Sequence, residues 1–346
     1  MAIEIINFSE QSRWDAIVKS FSNYEVYNLN GYMSGLYKHG DGEPLLFYIH
    51  DGNNRAINVV FKRDVSEVGK LVGKIKKKEF FDLATPYGYG GFIIEGKLTD
   101  KMMKEYETYC KDNNIISEFV RFNPMLDNQV FCEDYYETVF LGNTISIQLD
   151  SEEFVWNNFS SKNRNMIRKA IKEGVEVKHT NEKWIIDIFM DIYQQTMDRD
   201  NATDYYYFKR DYYETFSDNL PSEHEVFYAE KDGEVIAAAI MLFANNNMHY
   251  HLSASNMTGR KLAATNLIIS EAAKFGVQHG YKGFHLGGGV GAAQDSLYSF
   301  KKAFNKNEPK LYYIGKKVFD KTVYDKLVNI SAVSEDTGFF PKYRGR

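Results

Sequence analysis

The chain has 346 residues, 44% of them hydrophobic and 15% aromatic, so it exceeds the usual size of one core and is not a disordered or fibrous chain. Its 47 acidic and 42 basic residues leave a net charge of -5, which excludes a general nucleic-acid-binding surface but not a local basic patch. Cys110 and Cys132 have neither metal spacing nor a disulfide framework and read as packed thiols in a reducing compartment. No apolar run is long enough to span a bilayer, and Met1 to Phe8 lacks the basic-then-apolar order of a signal peptide. The expectation is a soluble, cytoplasmic, two-domain protein, with contact at the inner face of a membrane left open.

In chain order, Ile3 to Phe8 predicts a strand, and Ser9 or Ser12 caps a helix to Phe21 with Trp14, Ile17, Val18 and Phe21 on one face. The runs Leu45 to His50 and Ala56 to Phe61 flank Asp51-Gly-Asn-Asn54 and predict a β-hairpin. Phe80 to Ala84 is a further strand leading into Pro86-Tyr-Gly-Tyr-Gly-Gly91. A helix over 100–112 and a strand over 115–122 complete the first half, and a strand over 143–149 precedes the boundary. The second half opens with a helix over 161–173 that stops at Gly174, followed by a helix over 184–197. Val226 to Glu230 and Val235 to Phe243 form a second hairpin around Asp232-Gly233. Then come a strand over 248–255, a helix over 262–279, a strand from Gly283 that breaks into Gly287, Gly288 and Gly289, and a helix over 296–304. Lys310 to Ile314 and a helix from Asp320 form a tail that packs back on the first half.

Both halves therefore run hairpin, strand, helix, strand. This predicts an α/β (α+β) chain of two like domains, 1–150 and 151–346, each a mixed twisted sheet flanked by helices. The stretch 249–304 is a strand–helix–strand unit, and ligands of such units sit at the carboxyl ends of the strands. Small residues stand at both ends: Ser253, Ala254 and Ser255 on one strand, the three glycines on the other. They let a ligand approach the backbone. A dinucleotide fingerprint is rejected, because the glycine strand is the last of its domain and no acidic residue follows a second strand.

The helix over 161–172 is the most basic segment. Arg164 and Arg168 are i,i+4 neighbours suited to phosphate or carboxylate, though a solvated face is an equal reading. Tyr87, Gly88 and Tyr89 set rings on a free backbone, fit to stack on a sugar or base or simply to pack. His249 and His251 alternate on the central strand. His251 is nominated as the general base and His285 as a second candidate, although a strand histidine is more often a core residue. No zinc spacing, Ser-His-Asp order or P-loop is present.

Several stretches fall in one order: the Pro86 to Gly91 turn, the helix with Arg164 and Arg168-Lys169, Thr196-Met-Asp-Arg199 with Tyr205 to Phe208, Leu286-Gly-Gly-Gly289, Phe300-Lys301 and Phe340-Pro-Lys-Tyr-Arg344. In that order, over nearly the whole length, the chain resembles the Fem-like tandem GNAT proteins, which include peptidoglycan-bridge aminoacyltransferases and relatives in surface-polysaccharide clusters. The resemblance implies a tandem GNAT fold and N-acyl transfer, from aminoacyl-tRNA to an amine on a cell-wall or cell-envelope precursor. The alternative it leaves is an acyl-CoA-dependent N-acyltransferase acting on an amino sugar, with no tightly bound cofactor and no metal in either case. The acceptor would be an amine-bearing sugar-nucleotide or a lipid-linked molecule.

By the same resemblance Lys301 lies at the acyl-transfer centre, with backbone N–H groups near Phe300 as helpers. Gly287, Gly288, Gly289 and Ser253 leave room for the acyl group. The turn at Tyr87, Gly88 and Tyr89 lines the acceptor side, with Arg199, Tyr205 and Tyr207 opposite. In CoA-dependent relatives a basic–glycine loop cradles pyrophosphate at a helix N-terminus. Gly259, Arg260 and Lys261 occupy that place without the usual spacing. A third reading is a pair of inactive domains that only bind a ligand.

Overall fold

The computed structural model describes residues 2–332 and 338–345. In chain order its elements are β1 (Ala2–Asn7), α1 (Gln11–Lys19), α2 (Asn30–His39), β2 (Glu43–Asp51), β3 (Asn54–Asp64), β4 (Phe81–Ala84), β5 (Ile93–Glu95), α3 (Asp100–Asp112), β6 (Ile115–Arg121) and β7 (Glu137–Gln148). There follow α4 (Glu152–Asn158), α5 (Ser161–Lys172), β8 (Glu176–Thr180), α6 (Trp184–Arg199), α7 (Arg210–Asn219), β9 (His224–Lys231), β10 (Glu234–Ala244) and β11 (Asn247–Ser255). The chain ends with α8 (Met257–Lys261), α9 (Ala264–Gln278), β12 (Gly283–Gly287), α10 (Ser296–Lys302), β13 (Lys310–Val318) and α11 (Lys321–Ser331). The mixed α/β class expected from the hairpin–strand–helix–strand order is the class observed.

The chain divides into two compact units, residues 1–141 with 312–346, and residues 142–311. The first division lies nearer the N-terminus than the expected 150/151, and the tail belongs to the first unit. Pairing explains both differences. From Ile145 onward β7 is hydrogen-bonded to β12 of the second unit. Ile314 to Val318 of β13 pair antiparallel with Arg121 to Ser117 of β6.

In the first unit the strand order is β1-β2-β3-β4-β6-β13, with β5 also on β3 and only β4 and β6 parallel. The Asp51-to-Asn54 turn closes the β2–β3 hairpin as its chemistry predicts. Helix α2 has no amphipathic signal, because nearly every face is buried and it holds Gly31 and Gly35.

In the second unit the order is β7-β12-β11-β10-β9-β8. Strand β10, Val-Ile-Ala-Ala-Ala-Ile-Met-Leu-Phe at its centre, is buried on both faces, which is why it reads as one apolar run. Its alanines admit α9, whose Leu267, Ile268, Ala272 and Ala273 join Phe227, Met241 and Phe243 in one core. Burying each large side chain there contributes roughly 1.5–3 kcal/mol. Strands β11 and β12 are parallel only from Asn247↔Gly283 to His249↔His285. Beyond that pair β11 runs on beside β10 to Ser255, while β12 stays paired with β7 alone to Gly287. A bulge in β11 lies at His251, between the pairs Tyr250–Met241 and Leu252–Ile240. The two carboxyl ends therefore part in the middle of the sheet, and the parting positions the site.

Candidate acyl-transfer site

Beyond β12 the chain turns through Gly287, at φ +80°, into Gly288, Gly289 and a short turn at Val290. Helix α10 begins again at Asp295. Its carboxylate caps the helix by accepting from the Tyr298 N–H at 2.8 Å and reaches back to the Val290 N–H at 3.0 Å. One side chain thus ties the glycine turn to the helix. The fit is close: a β-carbon on Gly289 would stand 2.1 Å from the Ala293 carbonyl oxygen.

The purpose of that tie is visible one turn further on. Lys301 is only 8% exposed, and its Nζ donates to the Gly288 carbonyl at 2.7 Å. Burial pushes its ammonium down to about 8, partly countered by the charge of Asp295. Lys301 is thus a cation held against the glycine turn, and among the described residues no carboxylate forms an ion pair with it. His285, buried across β12 and edge-on to His249 at 5.8 Å, is held well below the usual histidine range by burial, with His249, Lys301 and Lys310 adding to the effect. It is neutral at physiological pH.

The structure thus brings together Lys301, Gly287, Gly288 and Gly289. Phe300 packs on Phe304 at 5.4 Å and on the apolar core. Its own amide lies past the first four N–H groups of α10, where a helix uses its amides internally. Ser253 is half-buried, and its hydroxyl lies on the Tyr250 phenol, which burial pushes up to about 12. His251 does not suit the base role expected of it. Its Nε2 lies 2.7 Å from the Tyr212 hydroxyl and its ring packs against Phe216. Burial, and then His249, hold its pKa down at about 3, leaving a very weak base.

At the end of β11, Arg199 donates to the Ser255 carbonyl at 3.2 Å and pairs with Asp200 at the same distance. Thr196 binds the same carbonyl at 3.4 Å. Tyr205 and Tyr207 are each 36% exposed, and the Tyr207 hydroxyl donates to Asp198 at 2.8 Å. Arg164 is committed elsewhere: its Nη1 faces the carbonyls of Trp156, Asn157 and Phe159 at 3.4, 3.3 and 2.5 Å, closing the carboxyl end of α4. Arg168 remains exposed, 5.3 Å over the Trp156 ring. In the first unit Tyr87, Gly88 and Tyr89 form a packed turn. The Tyr87 carbonyl accepts from the Tyr32 hydroxyl at 2.5 Å, Gly88 lies on the Tyr27 ring, and Tyr89 meets Tyr27 and Tyr312 edge-on at 5.8 and 5.5 Å.

The stretch read as a possible pyrophosphate cradle is a helix. Asn256 caps α8 by accepting from the Gly259 N–H at 2.9 Å, and the amides of Arg260, Leu262 and Ala263 bond to carbonyls of Asn256, Thr258 and Arg260. A β-carbon on Gly259 would lie 2.2 Å from the Ile236 carbonyl oxygen, so this glycine serves the packing of α8 on β10. The amides of Asn266 and Leu267 both turn back to Ala263. The amides that would cradle phosphates are largely used internally. Asp295 escaped the sequence reading, although its place just before Ser296-Leu-Tyr-Ser-Phe is a helix-start signal.

Residues 161–302 match the family model of the acetyltransferase (GNAT) domain. Over 175 residues the chain is 30% identical to the UDP-N-acetylmuramoylpentapeptide-lysine N(6)-alanyltransferase of Weissella viridescens, covering 49% of this chain and 50% of that protein. The chain thus aligns with about half the length of this curated relative. The crystal structure of FemX superposes with a TM-score of 0.69 at 16% identity, over 94% of this chain and 99% of that one. A tandem GNAT protein from the clavulanic acid pathway gives 0.51 at 6% identity, over 92% and 99%. Together these likenesses show a tandem GNAT fold. Within that fold residues 161–302 carry the GNAT acetyltransferase domain, and the chain is similar to an alanyltransferase in sequence and to FemX in fold.

Proposed function

We propose that the protein is an N-acyltransferase that moves an aminoacyl group from a charged tRNA to an amine on a cell-wall precursor of the UDP-N-acetylmuramoyl-pentapeptide kind. The observation that carries the reading is the buried Lys301 ammonium, 2.7 Å from the Gly288 carbonyl in a close-fitting glycine turn at the parted strand ends. An acceptor nitrogen attacks the ester carbonyl of the donor. The C–N bond forms, the oxyanion collapses, and the C–O bond to the ribose breaks as that oxygen takes a proton. Lys301 stabilises the oxyanion, which is charged in the transition state and not in the ground state. Gly287, Gly288, Gly289 and Ser253 leave space for the aminoacyl group. Arg199, Tyr205 and Tyr207 are the acceptor-contacting residues of the second unit in this reading.

The committed amides of 259–263 favour charged tRNA over acyl-CoA as donor. The test is incubation with alanyl-tRNA and UDP-N-acetylmuramoyl-pentapeptide, with mass spectrometry of the product, beside titration of acetyl-CoA. An alanyl adduct and no CoA binding is the expected result. Micromolar CoA binding with acetyl transfer would overturn the donor.

A further inference from the structure

Seven exposed basic residues of the second unit are gathered on one face. Helix α5 exposes Lys162, Arg168, Lys169 and Lys172 and has no acidic residue from Ser161 to Lys172. Lys169 donates to the Lys261 carbonyl at 3.0 Å, which joins α5 to α8 with its exposed Arg260 and Lys261. At its other end α5 meets the end of α10: the Ser160 amide and the Asn163 side chain donate to the Ala303 carbonyl at 2.9 and 3.4 Å. The exposed Lys306 lies there too, its Nζ donating to the Asn157 carbonyl at 2.6 Å. Ion pairs of this unit are made elsewhere, by Lys178, Lys183, Arg199, Arg210, Lys231 and Lys274 among others. Among the described residues none joins Lys162, Arg168, Lys169, Lys172, Arg260, Lys261 or Lys306 to a carboxylate.

In a protein of net charge -5 this is a local concentration of positive charge. It follows the twelve residues of α5, about 18 Å at the helical rise, from α8 to the helix that bears Lys301. An anion on this track that also presents an acyl group at Lys301 is a chain of phosphates, with the acyl group at its end.

We propose that the face formed by α5, α8 and the end of α10 binds the phosphate backbone of an RNA whose 3′ end enters at Lys301. The proposal rests on the charged-tRNA reading above and adds the surface that holds the RNA body. An anionic lipid surface is the competing occupant, since Ile171 and Met257 stand exposed beside the track, 55% and 71% accessible.

The test is fluorescence anisotropy of the whole protein with an uncharged RNA hairpin that copies a tRNA acceptor stem and ends in CCA, over a salt series. The wild type should bind with a steep salt dependence. Lys162→Glu, Lys172→Glu and Arg260→Glu together should weaken binding at least tenfold and lower the log–log salt slope by about three, roughly one per lost contact. Lys183→Gln, at a lysine outside this face that pairs with Asp218, should bind as the wild type does. The same three sites changed to Gln, checked by thermal melting, guard against a folding defect.

RNA binding unchanged in the variants would overturn the surface and leave the donor reading standing. No RNA binding, with turnover on acyl-CoA, would remove the donor reading itself. Preferential binding to phosphatidylglycerol vesicles through the same residues would also overturn the proposal and assign the face to a membrane.

Discussion

Each unit buries a charge, and the two are handled in opposite ways. In the first unit Asp82, with no exposed surface, is held by Arg63 Nε at 2.7 Å, Arg344 Nε at 2.5 Å and the Tyr343 hydroxyl at 3.0 Å. Burial alone would raise its carboxyl, but Arg344 and then Arg63 outweigh that and hold it below the usual carboxylate range. In the second unit Lys301 is buried with a carbonyl as its contact, and burial dominates. A neutralised buried charge fastens a fold. A buried charge left without a counter-ion is poised to meet one that develops in a reaction. The Phe340-to-Arg344 tail, read from the sequence only as part of a pattern, supplies two of the three partners of Asp82.

The comparison breaks first at Asp82. Asp82→Ala leaves two arginines facing each other in a buried site and should cost roughly 3–5 kcal/mol of stability, read by urea unfolding. The wild-type carboxylate contributes fully above the unfolded value near 4. Its contribution is lost as pH falls through the lowered folded value, so Asp82→Ala should also flatten the acid limb of stability. Lys301→Ala should do the reverse, leaving the melting temperature unchanged or higher while turnover falls about a hundredfold to a thousandfold. A smaller effect sharpens the donor side. Gly259→Ala should destabilise the second unit by about 1–3 kcal/mol, read by thermal melting, through the clash with the Ile236 carbonyl. If it instead altered donor affinity with no change in stability, the packing role given to Gly259 would fall.

Much of this was legible in the sequence for physical reasons. Hairpins announced themselves by Asp51-Gly52 and Asp232-Gly233, and β12 by its break into glycines. Lys301 came from a resemblance and not from its own pattern, since Lys301-Lys302 also reads as a solvated helix end. Burial separates the two, because Lys301 is nearly inaccessible and Lys302 is not. Helices α2, α4 and α7 were missed, α2 because a helix buried on most faces loses its period. Arg164 looked like a phosphate ligand because paired arginines suit anions, yet its hydrogen bonds go to three carbonyls of its own chain. His251 alternates with His249 in sequence, but the bulge and the Tyr212 contact that spoil it as a base have no sequence signature.

The pH dependence of turnover for the proposed donor and acceptor tests the central claim most directly. A Lys301 that works as a cation is charged below its lowered value, so the rate should hold up to about pH 8 and fall above it. Lys301→Ala should remove that fall along with most of the rate. A wild-type rate that keeps rising through pH 9, or a Lys301→Ala enzyme with wild-type turnover, would contradict the account.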